Sequence, residues 1–396
     1  MKIMKTLKVK IGRRAFWKVL VAGESKEVYR GRIDRLKVEE VWLPPNTMIA
    51  PLNIARHAFG TTINVYTERL ANIEEDKKIV EVVFASFDNG KVEKGDVVGV
   101  LKVFPSHIFD LELKEVRFPL KRLNASMVYR DDNEIKRSEI SFSEGEYARW
   151  HIGEWVPLVS EESLELKKGE VTRIKIRRVE IPEETIPTPL SISRNAFGSV
   201  LDVLAFGRPR KVEERRVISE TIFMPYFNGF VQPGDLLGVL NIYYVSTGMW
   251  KSLMFQTFSP TSANLVYWKN RDVVRKKIDI NPFFFKRSEI ATFEPVVADE
   301  DKKLEAGVNI VRIKEIIIPG GTIIQPLSGI NKSECILLDL FSEKPLLVEE
   351  DKFINRAAVY AFEETSVKEG ALLGAVAVYN VSILLQPELF FAKYRK

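Results

Sequence analysis

The feature that most constrains the fold is a ten-residue pattern that occurs three times. Leu43-Pro44-Pro45-Asn46-Thr47-Met48-Ile49-Ala50-Pro51-Leu52 returns as Ile181-Pro182-Glu183-Glu184-Thr185-Ile186-Pro187-Thr188-Pro189-Leu190. It returns again as Ile318-Pro319-Gly320-Gly321-Thr322-Ile323-Ile324-Gln325-Pro326-Leu327. The common core is aliphatic-Pro-x-x-Thr-aliphatic-x-x-Pro-Leu, with its first proline at 44, 182 and 319, spaced by 138 and then 137 residues. A second landmark follows in each copy: Gly95-Asp96-Val97-Val98-Gly99, Gly234-Asp235-Leu236-Leu237-Gly238 and Gly370-Ala371-Leu372-Leu373-Gly374. Gly31, Gly169 and Gly307 precede both. Met127-Val128-Tyr129 and Leu265-Val266-Tyr267 lead copies two and three, whereas copy one has no room for such a piece and begins truncated. The chain therefore divides into copies at 1–120, 121–260 and 261–396, a length per unit that suits single domains.

Each copy reads as β. Val171-Thr172-Arg173-Ile174-Lys175-Ile176 and Ile310-Val311-Arg312-Ile313-Lys314 alternate apolar and charged residues, the period of a half-buried strand. Val82-Val83-Phe84-Ala85 and Leu240-Asn241-Ile242-Tyr243-Tyr244 are rich in β-branched and aromatic types. Asn89-Gly90 and Asn228-Gly229 are expected to supply left-handed turns between strands. In Lys94-Gly95-Asp96 the glycine is expected at positive φ, and Gly99, Gly238 and Gly374 inside the next strand imply a close neighbour. Met249–Phe255 could hold a short helix or a loop.

Composition narrows the chemistry. One cysteine, Cys335, excludes a disulfide framework or thiolate cluster and fits a reducing, cytoplasmic compartment. His57, His107 and His151 are scattered, which leaves little for a zinc site. No phosphate-cradling glycine loop and no nucleophile elbow occurs. No catalytic residue, metal ligand or cofactor is assigned. Glutamine is confined to four positions while Lys and Glu abound, a bias that suits work at high temperature. Gly370–Gln386 carries no charge, but it is short for a spanning helix. Its counterparts in the other copies contain Asp96, Lys102 and Asp235. It is expected to be a buried strand, and no membrane association is expected.

The order of landmarks, together with Arg56-His57-Ala58-Phe59-Gly60 and Arg194-Asn195-Ala196-Phe197-Gly198, resembles the archaeal family called domain of unknown function 22, in which tandem copies occur. That resemblance implies a fold and an archaeal source and no activity. More distantly, Leu166–Glu170, Val179–Pro182, Pro189-Leu190-Ser191 and Gln232–Leu237 follow the order of turns of deoxyuridine triphosphatases and related β-clip domains. Three fused copies would then imitate a trimer about a pseudo-threefold axis, leaving the chain monomeric. That family's Pro-Arg-Ser is replaced by Pro51-Leu52-Asn53, Pro189-Leu190-Ser191 and Pro326-Leu327-Ser328, and its water-activating aspartate has no counterpart. The likeness concerns fold and not catalysis.

Side chains that differ between copies while the frame persists are the candidates for function. Arg56 and Arg194 are replaced by Lys332 in copy three. They suit bidentate binding of an anion, or else an ion pair or contact between copies. His57 and Asn195 stand beside them, and the histidine is either a switch or ligand or a hydrogen-bonding side chain. Basic residues interleave with aromatic ones around Lys286 and Arg287 and at the C-terminus, and Arg208 and Arg210 lie in a basic connection. These could contact RNA or a protein partner, or be solvated charge beside core. A net charge of +5 over 396 residues is small for a dedicated nucleic-acid binder. The expectation is an all-β chain of three β-clip-like repeats with a non-catalytic binding or scaffold role toward a protein, RNA or small anionic ligand. The alternative is an enzyme acting on a nucleotide or other phosphorylated small molecule at the clefts between copies.

Overall fold

The computed structural model describes residues 7–52, 56–69, 73–108, 122–131, 134–190, 195–205, 211–247, 260–281, 283–330, 334–341, 348 and 350–384. Every regular element among them is a strand. Met249–Phe255 lies outside the described residues. Each copy contains the same three-stranded antiparallel sheet. In copy one Ile33–Leu43 and Gly60–Thr67 flank Lys77–Ser86. In copy two Thr172–Ile181 and Gly198–Ala205 flank Arg216–Pro225, and in copy three Gly307–Ile318 and Cys335–Phe341 flank Lys352–Ala361. The alternation in Thr172–Ile181 becomes physical here. Ile174, Ile176, Val179 and Ile181 enter the core, while Lys175, Arg177 and Arg178 stay exposed. The same register break recurs after Lys37, Lys175 and Arg312, bending each first strand at one place.

Ten of the remaining strands among the described residues join one sheet. In it Val97–Ile108, Leu236–Ser246 and Leu372–Leu384 pair with Thr47–Leu52, Thr185–Leu190 and Thr322–Pro326. The repeated prolines Pro51, Pro189 and Pro326 sit in these outer strands, where a missing N–H costs the ladder nothing. The uncharged run after Gly370 is the strand Leu372–Leu384, paired on both sides. No helix among the described residues is long and apolar enough to cross a membrane.

The copies are stitched by strand exchange. In copy two, Glu146–Val159 pairs first with copy one (Glu146 opposite Phe16) and then with its own Leu236–Ser246. In copy three, Phe284–Val297 pairs along its length with its own Leu372–Leu384, and its first residues pair on the other edge with copy two (Lys286 opposite Ile152). Leu7–Ile11 of copy one pairs with copy three, Leu7 opposite Phe293. Corresponding apolar residues of all three copies share one core: Ile33 with Val171 and Val308, and Val83 with Ile222 and Ala358. The leading pieces noted in sequence are hairpins, Arg122–Asp131 with Glu134–Ser143 and Thr261–Lys269 with Asp272–Ile280. Each lies on the preceding copy. The Ala58 N–H donates to the Val128 carbonyl and the Ala196 N–H to the Val266 carbonyl, both at 2.9 Å.

Gly99, Gly238 and Gly374 behave as expected, because an added Cβ would meet Thr62 at 3.0 Å, Val200 at 3.2 Å and Leu337 at 3.0 Å. The Asn-Gly expectation is corrected. Neither Asn89-Gly90 nor Asn228-Gly229 has positive φ. Glycine is required there because the rings of Phe59 and Phe197 lie on the backbone, 2.3 Å and 2.2 Å from where a Cβ would stand.

Candidate functional site

The structure draws Arg56 out of copy one to copy two. Its Nε lies 3.2 Å from Asp202 Oδ2 and its Nη2 donates to Oδ1 at 3.4 Å. Asp202 is buried and also accepts the Thr61 hydroxyl at 2.6 Å and the Val203 N–H at 2.7 Å. Of the two readings for this arginine, its position matches the contact between copies. Arg194, Arg208 and Arg210 lie outside the described residues.

His57 and Asn195 are fully buried and perform one task. The Phe59 N–H donates to His57 Nδ1 at 3.3 Å, and the Phe197 N–H to Asn195 Oδ1 at 3.1 Å. An accepting Nδ1 places the ring proton on Nε2, which faces Asp96 Oδ2 at 3.3 Å. In copy two the Asn195 amide donates to the Leu236 carbonyl at 3.0 Å. Imidazole and carboxamide thus exchange as turn-holding groups, away from any surface. The aspartates that open the next strands hold the hairpins: Arg137 Nη2 reaches Asp96 Oδ2 at 3.0 Å, and Arg275 Nε reaches Asp235 Oδ2 at 3.1 Å. Copy three has Ala371 there, and among the described residues no hairpin lies on it. Residues shared by copies one and two only are therefore largely the seat for the next copy's hairpin.

Lys286 is exposed, as a surface contact requires, but Arg287 is not. Only 4% exposed, it belongs to the interior, its guanidinium over the rings of Tyr243 at 4.6 Å and Tyr379 at 4.5 Å. This corrects its assignment to a basic surface. The residue that matches it in copy two is Arg149, 138 positions earlier, and in copy one Ile11. Arg149 is also buried, 4.0 Å over Phe104. Phe104, Tyr243 and Tyr379 are themselves equivalent, each nine residues after the turn glycine Gly95, Gly234 or Gly370. The local cause is the change of neighbour. Both long strands stay paired with their own copy and lose register there between Arg149 and Gly153 and between Arg287 and Ala291. At these points the neighbour on the other edge changes, from copy one to copy three in the first and from copy two to copy one in the second.

The surroundings of this pair are cationic. Lys102 is buried and donates to Thr188 Oγ1 at 3.2 Å. Burial, and then the charge of Arg149, push its ammonium down to about 7, while Asp202 opposes. Burial and Arg149 also hold His151 down to about 4, with Glu289 Oε1 3.3 Å from its Nε2 pulling the other way. Burial raises the Tyr243 and Tyr147 hydroxyls, and Arg149 tempers both. Arg149 Nη1, Arg287 Nε and the Tyr147 hydroxyl are buried without a hydrogen bond. Neither guanidinium has an acceptor or carboxylate among the described residues. Thr188 also lines a cavity of about 140 Å³ that is walled by equivalent residues of all three copies: Pro51, Pro189 and Pro326, with Asn64, Asp202 and Asp339. Among the described residues no group of three or more His, Cys, Asp or Glu side chains is placed to hold a metal ion.

The family model described as Domain of unknown function DUF22 matches residues 2–90, 124–229 and 262–365, most of the chain. The chain belongs to the DUF22 family. Over 88 residues this DUF22 protein is 32% identical to an uncharacterized protein of the archaeon Methanocaldococcus jannaschii, a match covering 22% of the chain. The chain spans 65% of that relative's length. No solved structure matches it.

The interior pair was reachable from the sequence. Arg149 and Arg287 differ from Ile11 across copies just as Arg56 and Arg194 differ from Lys332. What hid them is that an arginine in an alternating strand looks like the solvated face.

Proposed function

We propose that this DUF22 protein is a non-catalytic binding protein whose ligand is a small anion, held where three copies meet about a common axis. The supporting observation is the burial of Arg149 and Arg287 against aromatic rings without an acceptor among the described residues. Burying a cation costs free energy unless it is paired, and ring faces recover only part of that. Rings against the flat faces of the guanidiniums leave their edges for carboxylate or phosphate oxygens. Lys102 and the Tyr147 hydroxyl add donors nearby. In this reading the protein is cytoplasmic and heat-adapted. Any RNA or protein partner would meet exposed groups such as Lys286 and not this interior.

Thermal-shift titration with inorganic phosphate, sulfate and citrate tests the reading. A ligand at a hundredfold excess over its dissociation constant stabilises by about 2.7 kcal/mol. Arg149→Met and Arg287→Met should abolish the shift while leaving the unliganded protein as stable as before or more so. An unchanged shift in both variants, or no shift with any anion, overturns the reading.

A further inference from the structure

A second cavity, of about 630 Å³, opens between copies two and three, and among the described residues no Lys, Arg or His lines it. Its walls are Trp155, Leu190 and Val239 of copy two, and Leu265 and Phe283 of copy three, with Val348 closing one side. The indole of Trp155 is fixed by Asn241 and packs edge-on against Phe283, with ring centroids 4.6 Å apart. A volume in this range, mostly apolar walls and a few polar groups describe a small-molecule site.

The corresponding place between copies one and two provides the comparison. Val100, Met127 and Val212 there correspond to Val239, Leu265 and Val348. The first two pairs follow from the sequence spacing, and the third from the N–H groups of Glu184 and Gly321, which donate to the Val212 and Val348 carbonyls. Val100, Met127 and Val212 are 7%, 5% and 2% exposed and belong to one packed cluster. Val239, Leu265 and Val348 are only half-buried and line the cleft among the described residues. The same joint is thus closed once and open once on the same frame. Small apolar side chains would fill the space at little cost if it had no use.

The polar groups of the lining decide the class of ligand. They include two exposed carboxylates, Asp279 and Glu350, with Asn281 beside them, and among the described residues no Lys, Arg or His. We propose that this cleft binds an apolar small molecule that carries a cationic end: its hydrocarbon or aromatic body against Trp155 and Phe283, its ammonium at the acidic rim. The site is separate from the anion site, and neither proposal depends on the other.

Isothermal titration of the full chain with three matched probes tests it: 4-phenylbutylamine, 4-phenylbutanol and 4-phenylbutyrate. The amine should bind most tightly and the carboxylate most weakly, and inorganic phosphate should not compete. Leu265→Trp, which fills the cleft, should abolish amine binding with an unchanged melting temperature. The Asp279→Asn, Glu350→Gln double variant should weaken the amine about fivefold, as expected for exposed charge pairs, and leave the alcohol unchanged. If Leu265→Trp does not fold, the double variant alone decides. No binding of any probe, a carboxylate that binds as well as the amine, or amine binding indifferent to these substitutions would overturn the proposal.

Discussion

Arg275 of copy three closes on Asp235 of copy two. Its Nε lies 3.1 Å from one carboxylate oxygen and 3.2 Å from the other, while its Nη2 donates to the Phe230 carbonyl at 2.6 Å. Asp235 is fully buried and additionally accepts the Gln232 N–H at 3.0 Å. Arg137 and Asp96 repeat the arrangement between copies one and two. A hairpin encoded with one copy is thereby bolted onto the one before it. Removing the arginine leaves a buried carboxylate short of a partner, so Arg275→Ala should cost about 2–3 kcal/mol in urea denaturation. An effect under about 0.5 kcal/mol would mean the hairpin is held by its apolar face alone.

His57 and Asn195 make a swap test possible. Because the carboxamide does in copy two what the imidazole does in copy one, His57→Asn should change stability by less than about 1 kcal/mol. His57→Ala, which strands the Phe59 N–H and takes one of several partners from Asp96, should cost about 2–3 kcal/mol. Equal losses in the two variants would show that the ring's bulk matters and not its hydrogen bonds.

Lys102 predicts a pH dependence. Its folded value is pushed down to about 7, against an unfolded value near ~10.4. Between these the unfolded chain binds the extra proton, so stability rises with pH from about 7 toward 10, at up to about 1.4 kcal/mol per pH unit. Lys77, lowered by burial to about 8, adds to the slope above that value. Lys102→Met should remove the Lys102 share and be the more stable protein at pH 6, read by denaturation at pH 6 to 9.5. An anion bound nearby favours the ammonium, so ligand stabilisation should be greater at pH 6 than at pH 8.5. A wild-type profile parallel to that of Lys102→Met would show that this lysine does not titrate in the window.

Arg56 and Asp202 tie copy one to copy two, and a double-mutant cycle should return a coupling of about 1–2 kcal/mol. The sequence keeps the same logic. Arg56 stands in the copy followed by Asp202 and Arg194 in the copy followed by Asp339, whereas copy three has Lys332 and copy one has Asn64 at the aspartate position. Additive single effects in Arg56→Ala and Asp202→Asn would reduce the pair to proximity.

The repeated prolines and glycines announced the architecture because they answer local demands. An outer strand tolerates Pro51, and the passage of Thr62 beside Gly99 requires a missing side chain. Period-two alternation likewise marked Thr172–Ile181 and Gly307–Ile318. Partnership was not legible. Alternation in Glu146–Val159 cannot tell that its first residues pair with one copy and its last with another. The site followed the same divide. Arg56, His57 and Asn195 stood out because they vary on a constant frame, yet what varies with them is the docked hairpin. Arg149 and Arg287 vary against Ile11 in the same way, but that they point inward shows only in the fold.

The pairing of Leu7–Ile11 with Phe284–Val297 has a consequence for how the molecule is made. A strand of copy one is completed by one made much later, so copies one and two must wait, with an unmatched edge, for nearly three hundred further residues. Such an edge is a template for unwanted association while translation proceeds. Deleting Leu7–Ile11 would strip copy three of a neighbour far removed from it in the sequence.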